Sequence, residues 1–209
     1  MRLVSGLFIA LLLGLSIGLL PDRAGAEWYV AGQVGATFAD QLKDVEGTNS
    51  LAGLTAPDFD LQNSVAYGLK LGYFPGDSWV GLEAEAFHTT PHIKNLDDIP
   101  GVHFRVTTVG LNLIARYPGR TYQPYIGIGG GVAIGHVGNS ATTTSDTDSS
   151  SSLQVLAGLR AFVTPRVALF TEYKYTDASF QFTGAFGSVG GFQADYAAQH
   201  LMFGMSYHF

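Results

Sequence analysis

The stretch Leu201-Met-Phe-Gly-Met-Ser-Tyr-His-Phe209 decides the fold. Leu201, Phe203, Met205, Tyr207 and Phe209 fall on one side of an extended chain, and His200, Gly204, Ser206 and His208 on the other. Successive side chains of a β-strand point to opposite faces, so this alternation predicts a strand with one oily and one polar side. Working back towards the N-terminus, the same period recurs seven more times. Strands are expected near Trp28–Phe38, Ser64–Phe74, Trp79–His88, Phe104–Tyr117, Tyr122–His136, Leu153–Val163 and Val167–Thr176. In the second, Val65, Tyr67, Leu69, Leu71 and Tyr73 oppose Ser64, Ala66, Gly68, Lys70 and Gly72; in the third, Val80, Leu82, Ala84 and Ala86 oppose Gly81, Glu83 and Glu85.

The connections between these strands alternate in length. Pro75-Gly76-Asp77-Ser78, Pro118-Gly119-Arg120 and Thr164-Pro165-Arg166 are built from residues that favour tight turns. The stretches 39–63, 89–103, 137–152 and 177–195 are long and predicted as loops; the Ser/Thr-rich run 140–152 reads as flexible and solvated. Short turns alternating with long loops describe an antiparallel up-and-down meander whose turns share one end. An even number of strands puts both chain ends at that end as well.

Residues 1–26 have the form of an export signal. Arg2 precedes an apolar run from Leu3 to Leu20, Pro21 breaks it, and Ala24-Gly25-Ala26 offers a site for cleavage after Ala26. An N-terminal membrane anchor is the alternative, disfavoured by the helix breaker and the small residues that follow at once. Residues 27–209 would then form one domain. The signal carries Arg2, Arg23 and Asp22, a net +1, so the formal charge of −6 becomes −7 on removal. An acidic chain without a basic cluster speaks against nucleic acid as a partner. There is no cysteine, so disulfides and thiolate chemistry are excluded. Beyond the signal no apolar stretch is long enough for a membrane helix, so any crossing must be made by strands.

A soluble eight-stranded barrel of the lipocalin kind would alternate in the same way. Two features favour a membrane instead. The polar face carries Lys70, Glu83, Glu85, Arg116, Arg160, Glu172 and Lys174, which suit a filled polar interior better than a greasy cavity. Tyr73, Tyr117, Tyr122, Tyr207 and Phe209 lie on the oily face near the turn ends, where an interfacial aromatic belt belongs; Tyr173 and Tyr175 could join an upper one.

The chain end adds a third. Gly204, Tyr207 and Phe209 fit a Gly-x-x-aromatic-x-aromatic pattern that resembles the C-terminal insertion signal of bacterial outer-membrane barrels, although Met202 stands where that pattern has a polar residue. Together with Tyr122-Gln-Pro-Tyr-Ile-Gly-Ile-Gly-Gly-Gly131 and Thr164-Pro-Arg-Val-Ala-Leu-Phe-Thr-Glu-Tyr-Lys-Tyr175, the chain resembles the outer-membrane protein A type family of small porin-like or opacity-type barrels. The resemblance implies an eight-stranded antiparallel transmembrane β-barrel in the outer membrane of a Gram-negative-type bacterium. It also implies contact with outer-membrane lipids including lipopolysaccharide, and recognition by the barrel assembly machinery through the last strand. The peptidoglycan-binding domain of full-length members is not expected here, and the default is a monomer.

Inside such a barrel, Lys70, Glu83, Glu85, Arg160, Glu172 and Lys174 are expected at comparable heights, with Arg116 lower. Four cations facing three carboxylates should pair, because an unpaired charge away from water costs several kcal/mol. The glycines of the fifth strand would leave room for the arginines. No cofactor or metal is expected. His88 and His92 are four apart, but Thr89-Thr90-Pro91 disfavours a helix between them, and His103 adds no known ligand spacing. His88, His103 and His136 could each serve a lipid-modifying hydrolase, yet no serine motif accompanies them. The expected function is therefore structural and interactive, with four loops displayed at the surface. A narrow solute or ion channel is the alternative, and a lipid A-modifying enzyme comes third.

Overall fold

The structure is a computed structural model that describes residues 26–49, 59–60, 63–76, 78–90, 104–137, 146–182 and 190–209. Eight long strands form the wall: β1 (Ala26–Asn49), β2 (Ser64–Pro75), β3 (Val80–Thr89), β4 (Phe104–Arg116), β5 (Tyr122–Val137), β6 (Asp146–Phe162), β7 (Val167–Phe182) and β8 (Gly190–His208). Each pairs antiparallel with its neighbours in sequence, and β1 pairs with β8, so the sheet closes on itself. A two-residue strand, Phe59–Asp60, adds to β1 at Gln41 and Leu42. At the seam Tyr29 faces His208, and the Trp28 and Phe209 main chains exchange hydrogen bonds of 3.1 and 2.9 Å. Closure removes every sheet edge within the wall, as a membrane-spanning sheet requires.

The wall's two faces follow the period-two pattern. Val34, Leu69, Leu111, Ile126, Leu153 and Phe203 are exposed on the outside, while Gln33, Lys70, Asn112, Gln154 and Glu172 are buried within. An outer surface made of large apolar side chains is stable only where hydrocarbon covers it. Near the turn end the wall carries a belt of rings. Trp28 packs on Tyr73 at 4.6 Å and Tyr207 on Phe209 at 6.3 Å, while Trp79, Tyr117 and Tyr122 are exposed at the same end.

The turns are held by local bonds. Gly76 adopts a positive φ of 56°, which favours glycine, and Ser78 N donates to Pro75 O. Thr164 Oγ1 accepts from the main-chain N–H groups of Arg166 and Val167.

The strands are longer at the other end than the alternation predicts. β1 runs on to Asn49, paired as far as Gly190, and β7 and β8 continue to the pair Phe182–Phe192. The run expected as a flexible loop is half strand, since Asp146–Ser152 pair with Gly131–Val137. The outward positions there, such as Thr147, Ser149, Ser151, Ser179 and Gln181, are polar and exposed, so the oily side of the pattern is lost while the hydrogen-bond ladder goes on.

Candidate functional site

The barrel interior is filled in layers, and its middle layer is ionic. Lys70 Nζ lies 2.6 Å from Glu172 Oε2, 3.0 Å from Glu83 Oε1 and 3.7 Å from Glu85 Oε1. Lys174 pairs with Glu85 and lies 3.5 Å from Glu172. Neutral donors complete the coordination of the carboxylates. Tyr29 OH donates to Glu83 and Tyr125 OH to Glu172, while Gln33 and Asn112 donate to Glu85. Gln154 bridges Glu85 and Asn112. All five charged residues are at most 4% exposed. Three carboxylates and two ammonium groups leave one negative charge, held in place by these donors.

Arg160 departs from the expected pairing. Among the described residues it meets no carboxylate; its guanidinium stacks 4.4 Å above the Tyr29 ring and 5.3 Å from that of Tyr125. The register explains this, because Glu172 lies opposite Gly158 whereas Arg160 lies opposite Phe170, one inward position nearer the turns. Its guanidinium thus contacts the two phenol rings that donate to the glutamates, and not the carboxylates themselves. Arg116 sits lower, as expected, but its partner is Glu27, with 2.6 Å between Nη1 and Oε2, and it stacks on Phe74 at 3.7 Å.

The fifth-strand glycines do not make room for these arginines. A Cβ on Gly127 would strike Ile114 and Leu156, and one on Gly129 would strike the Asn112 side chain. Ile114, Leu156, Phe74, Phe170 and Met202 all point inward and are buried. Alternation alone could not assign them to the interior, because apolar residues occupy both faces at those positions. Gly204 has a packing reason of its own: a side chain there would collide with the Phe170 ring and the Gly32 carbonyl. Tyr207 and Phe209 face outward in the ring belt.

Above the ionic layer, Thr37 Oγ1 lies 2.9 Å from His200 Nδ1 and accepts from Thr89 Oγ1 at 2.8 Å. Among the described residues, His200 Nε2, Thr108 Oγ1 and Thr176 Oγ1 have no hydrogen-bond partner there. Below the ionic layer, a cavity of about 760 Å3 opens at the turn end, lined in part by Glu27, Arg116, Gln123 and His208.

That end holds a relay absent from the sequence reading. Ser206 Oγ lies 2.9 Å from His208 Nε2, and His208 Nδ1 lies 2.7 Å from Glu27 Oε1. The order matches a Ser-His-acid arrangement. Ser206, however, is fully buried and is not part of the cavity lining, so a substrate in the cavity meets the imidazole edge and not the hydroxyl. Of the other candidate histidines, His88 and His136 each bond a threonine hydroxyl at 2.8 Å, while His92 and His103 lie outside the described residues.

A closed eight-stranded wall with an oily exterior, an aromatic belt and a charge-paired interior defines an outer-membrane β-barrel protein. The chain belongs to the family described as outer membrane protein beta-barrel domain, whose model matches residues 7–209, and this family points to the outer membrane of Gram-negative bacteria. Among solved structures it is similar to neisserial surface protein A, with a TM-score of 0.53 and 18% identity over 88% of this chain and 98% of that one. It is also similar to Ail, the attachment invasion locus protein of Yersinia pestis, in complex with the heparin analogue sucrose octasulfate (TM-score 0.49, 18% identity, 90% and 100% covered). A third likeness is to the N-terminal β-barrel domain of Pseudomonas aeruginosa OprF (0.45, 18%, 88% and 99%). At these identities the likeness is one of fold. No curated protein matches the chain.

Proposed function

We propose that the barrel serves as a rigid, plugged wall element that displays its four connecting stretches at the cell surface. One observation carries this reading: paired charges and rings fill the interior, while β1, β7 and β8 run on beyond the oily band. Counted along the sequence, the stretches 39–63, 89–103, 137–152 and 177–195 carry eleven Asp or Glu and two Lys or Arg. Such a surface stays solvated and favours cationic over polyanionic partners. On the outer wall, exposed Arg105 offers a guanidinium of the kind that pairs with the phosphates of lipopolysaccharide. Gly204, Tyr207 and Phe209 would present the last strand to the assembly machinery after export and cleavage behind Ala26. The buried position of Ser206 supports a non-enzymatic reading.

The chain has no cysteine, so placement can be read directly. Ser188→Cys should react with a membrane-impermeant maleimide on intact cells, and Arg120→Cys only after permeabilisation. The reverse pattern would overturn the display reading.

A narrow channel is the second reading, favoured by the unpartnered polar atoms of Thr108, Thr176 and His200 above the ionic layer. Planar-bilayer conductance that rises in Glu85→Ala and Lys174→Ala would support it; conductance unchanged by both would count against it.

A further inference from the structure

We propose that the cavity at the turn end binds the carboxyl end of a peptide. This goes beyond the display reading, since it concerns the opposite end of the barrel. Among the described residues, Arg116, Arg120 and Arg166 line the cavity against one carboxylate side chain, that of Glu27. Even with the Phe209 α-carboxylate counted against them, the guanidinium groups keep one positive charge in excess. A volume of about 760 Å3 lies within the range of about 300–1,000 Å3 common to small-ligand sites. Phe162, Val163, Pro118 and Pro165 supply apolar wall between the charges.

Each of two buried side chains lining this space carries a polar atom without a hydrogen-bond partner among the described residues, and the two atoms are of opposite kinds. Arg116, 6% exposed, has an unpartnered Nε, which is a donor. Gln123, 8% exposed, gives its Nε2 to Gly119 O at 2.9 Å and leaves Oε1, an acceptor, without a donor. An acceptor-only anion such as acetate or sulfate would satisfy the first and not the second. A terminal carboxylate with the adjacent amide N–H, or with an α-ammonium group, satisfies both.

The cavity is also built to keep its shape. Tyr117 N donates to Pro124 O and Gly119 N to Tyr117 O, which fixes the turn that carries Arg120. His208 N donates to Arg166 O, which ties the other cationic turn to the last strand. Glu27, held by His208 Nδ1, keeps the Arg116 guanidinium pointing across the opening. Arg120 and Arg166 are exposed and free to close over a ligand from the turns.

Two sources share this chemistry: free peptide ends in the periplasm, and uncrosslinked stem peptides of the cell wall. The test uses the full barrel in detergent micelles, with acetyl-alanyl-alanine and its C-terminal amide as probes, read by isothermal titration and by NMR shifts at the turn residues. Binding of the acid, about tenfold weaker for the amide and for Arg120→Gln combined with Arg166→Gln, is the expected result. Equal binding of acid and amide, no binding of either at millimolar concentration, or indifference to the double substitution would overturn the proposal. Both substituted residues are exposed, and a heat-induced gel shift reports whether each variant has folded. Co-sedimentation with purified sacculi assigns the source to the wall; peptide binding without co-sedimentation assigns it to free peptide ends.

Discussion

The lysine side chains Lys70 and Lys174 each answer more than one glutamate, and Lys70 touches all three. Removing one partner of a buried ion pair leaves charge without compensation, at about 3–5 kcal/mol. Lys70→Met should therefore lower the free energy of unfolding by about that amount in urea titrations of the protein in lipid vesicles. Combining it with Glu172→Gln should recover part of the loss; no recovery would mean that packing, and not charge, sets the cost. Arg160 offers a contrast, because its contacts are ring faces. Arg160→Lys keeps the charge and loses the flat stack on Tyr29, a cost of about 0.5–2 kcal/mol in the same titration. The sequence showed which charges face inward, since inward parity follows from counting. It could not show that Arg160 stands one inward position below Glu172, because strand register is set by pairing across the wall.

At the scale of a strand, the apolar alternation and the hydrogen-bond ladder are separate things, and they end at different places. Alternation stops where hydrocarbon stops. The ladder continues for as long as β1, β7 and β8 find partners, so strand existence was legible and the upper boundaries were not. The upper part of the β7–β8 hairpin should then be dispensable for membrane folding. Ser179 lies opposite Asp195, so residues 180–194 can be replaced by Asn-Gly, a pair that suits a two-residue hairpin turn. The shortened protein should keep its heat-induced gel shift. Loss of that shift would show that the protruding ladder helps to hold the wall. Glycines inside the wall should be far less tolerant. Gly129→Val in β5 places a branched side chain against Asn112 and the Leu111 carbonyl, and should abolish the folded gel band.

For the molecule as a whole, the expectation that lipid and not a buried core covers the oily side makes a direct prediction. The purified protein in detergent should migrate differently before and after boiling, and should precipitate when the detergent is withdrawn; a folded, freely soluble species would contradict the arrangement of its faces. Fold class, strand count and the inward charges were legible because they depend only on parity along one chain. The mouth cavity and the Ser206–His208–Glu27 relay were not, because they join the two ends of the sequence. That junction has a further consequence for biogenesis. The first strand finds its second neighbour only when the last one arrives, so every shortened translation product carries two raw borders. Such products have nowhere to hide their unpaired main chain and become natural targets for periplasmic proteases.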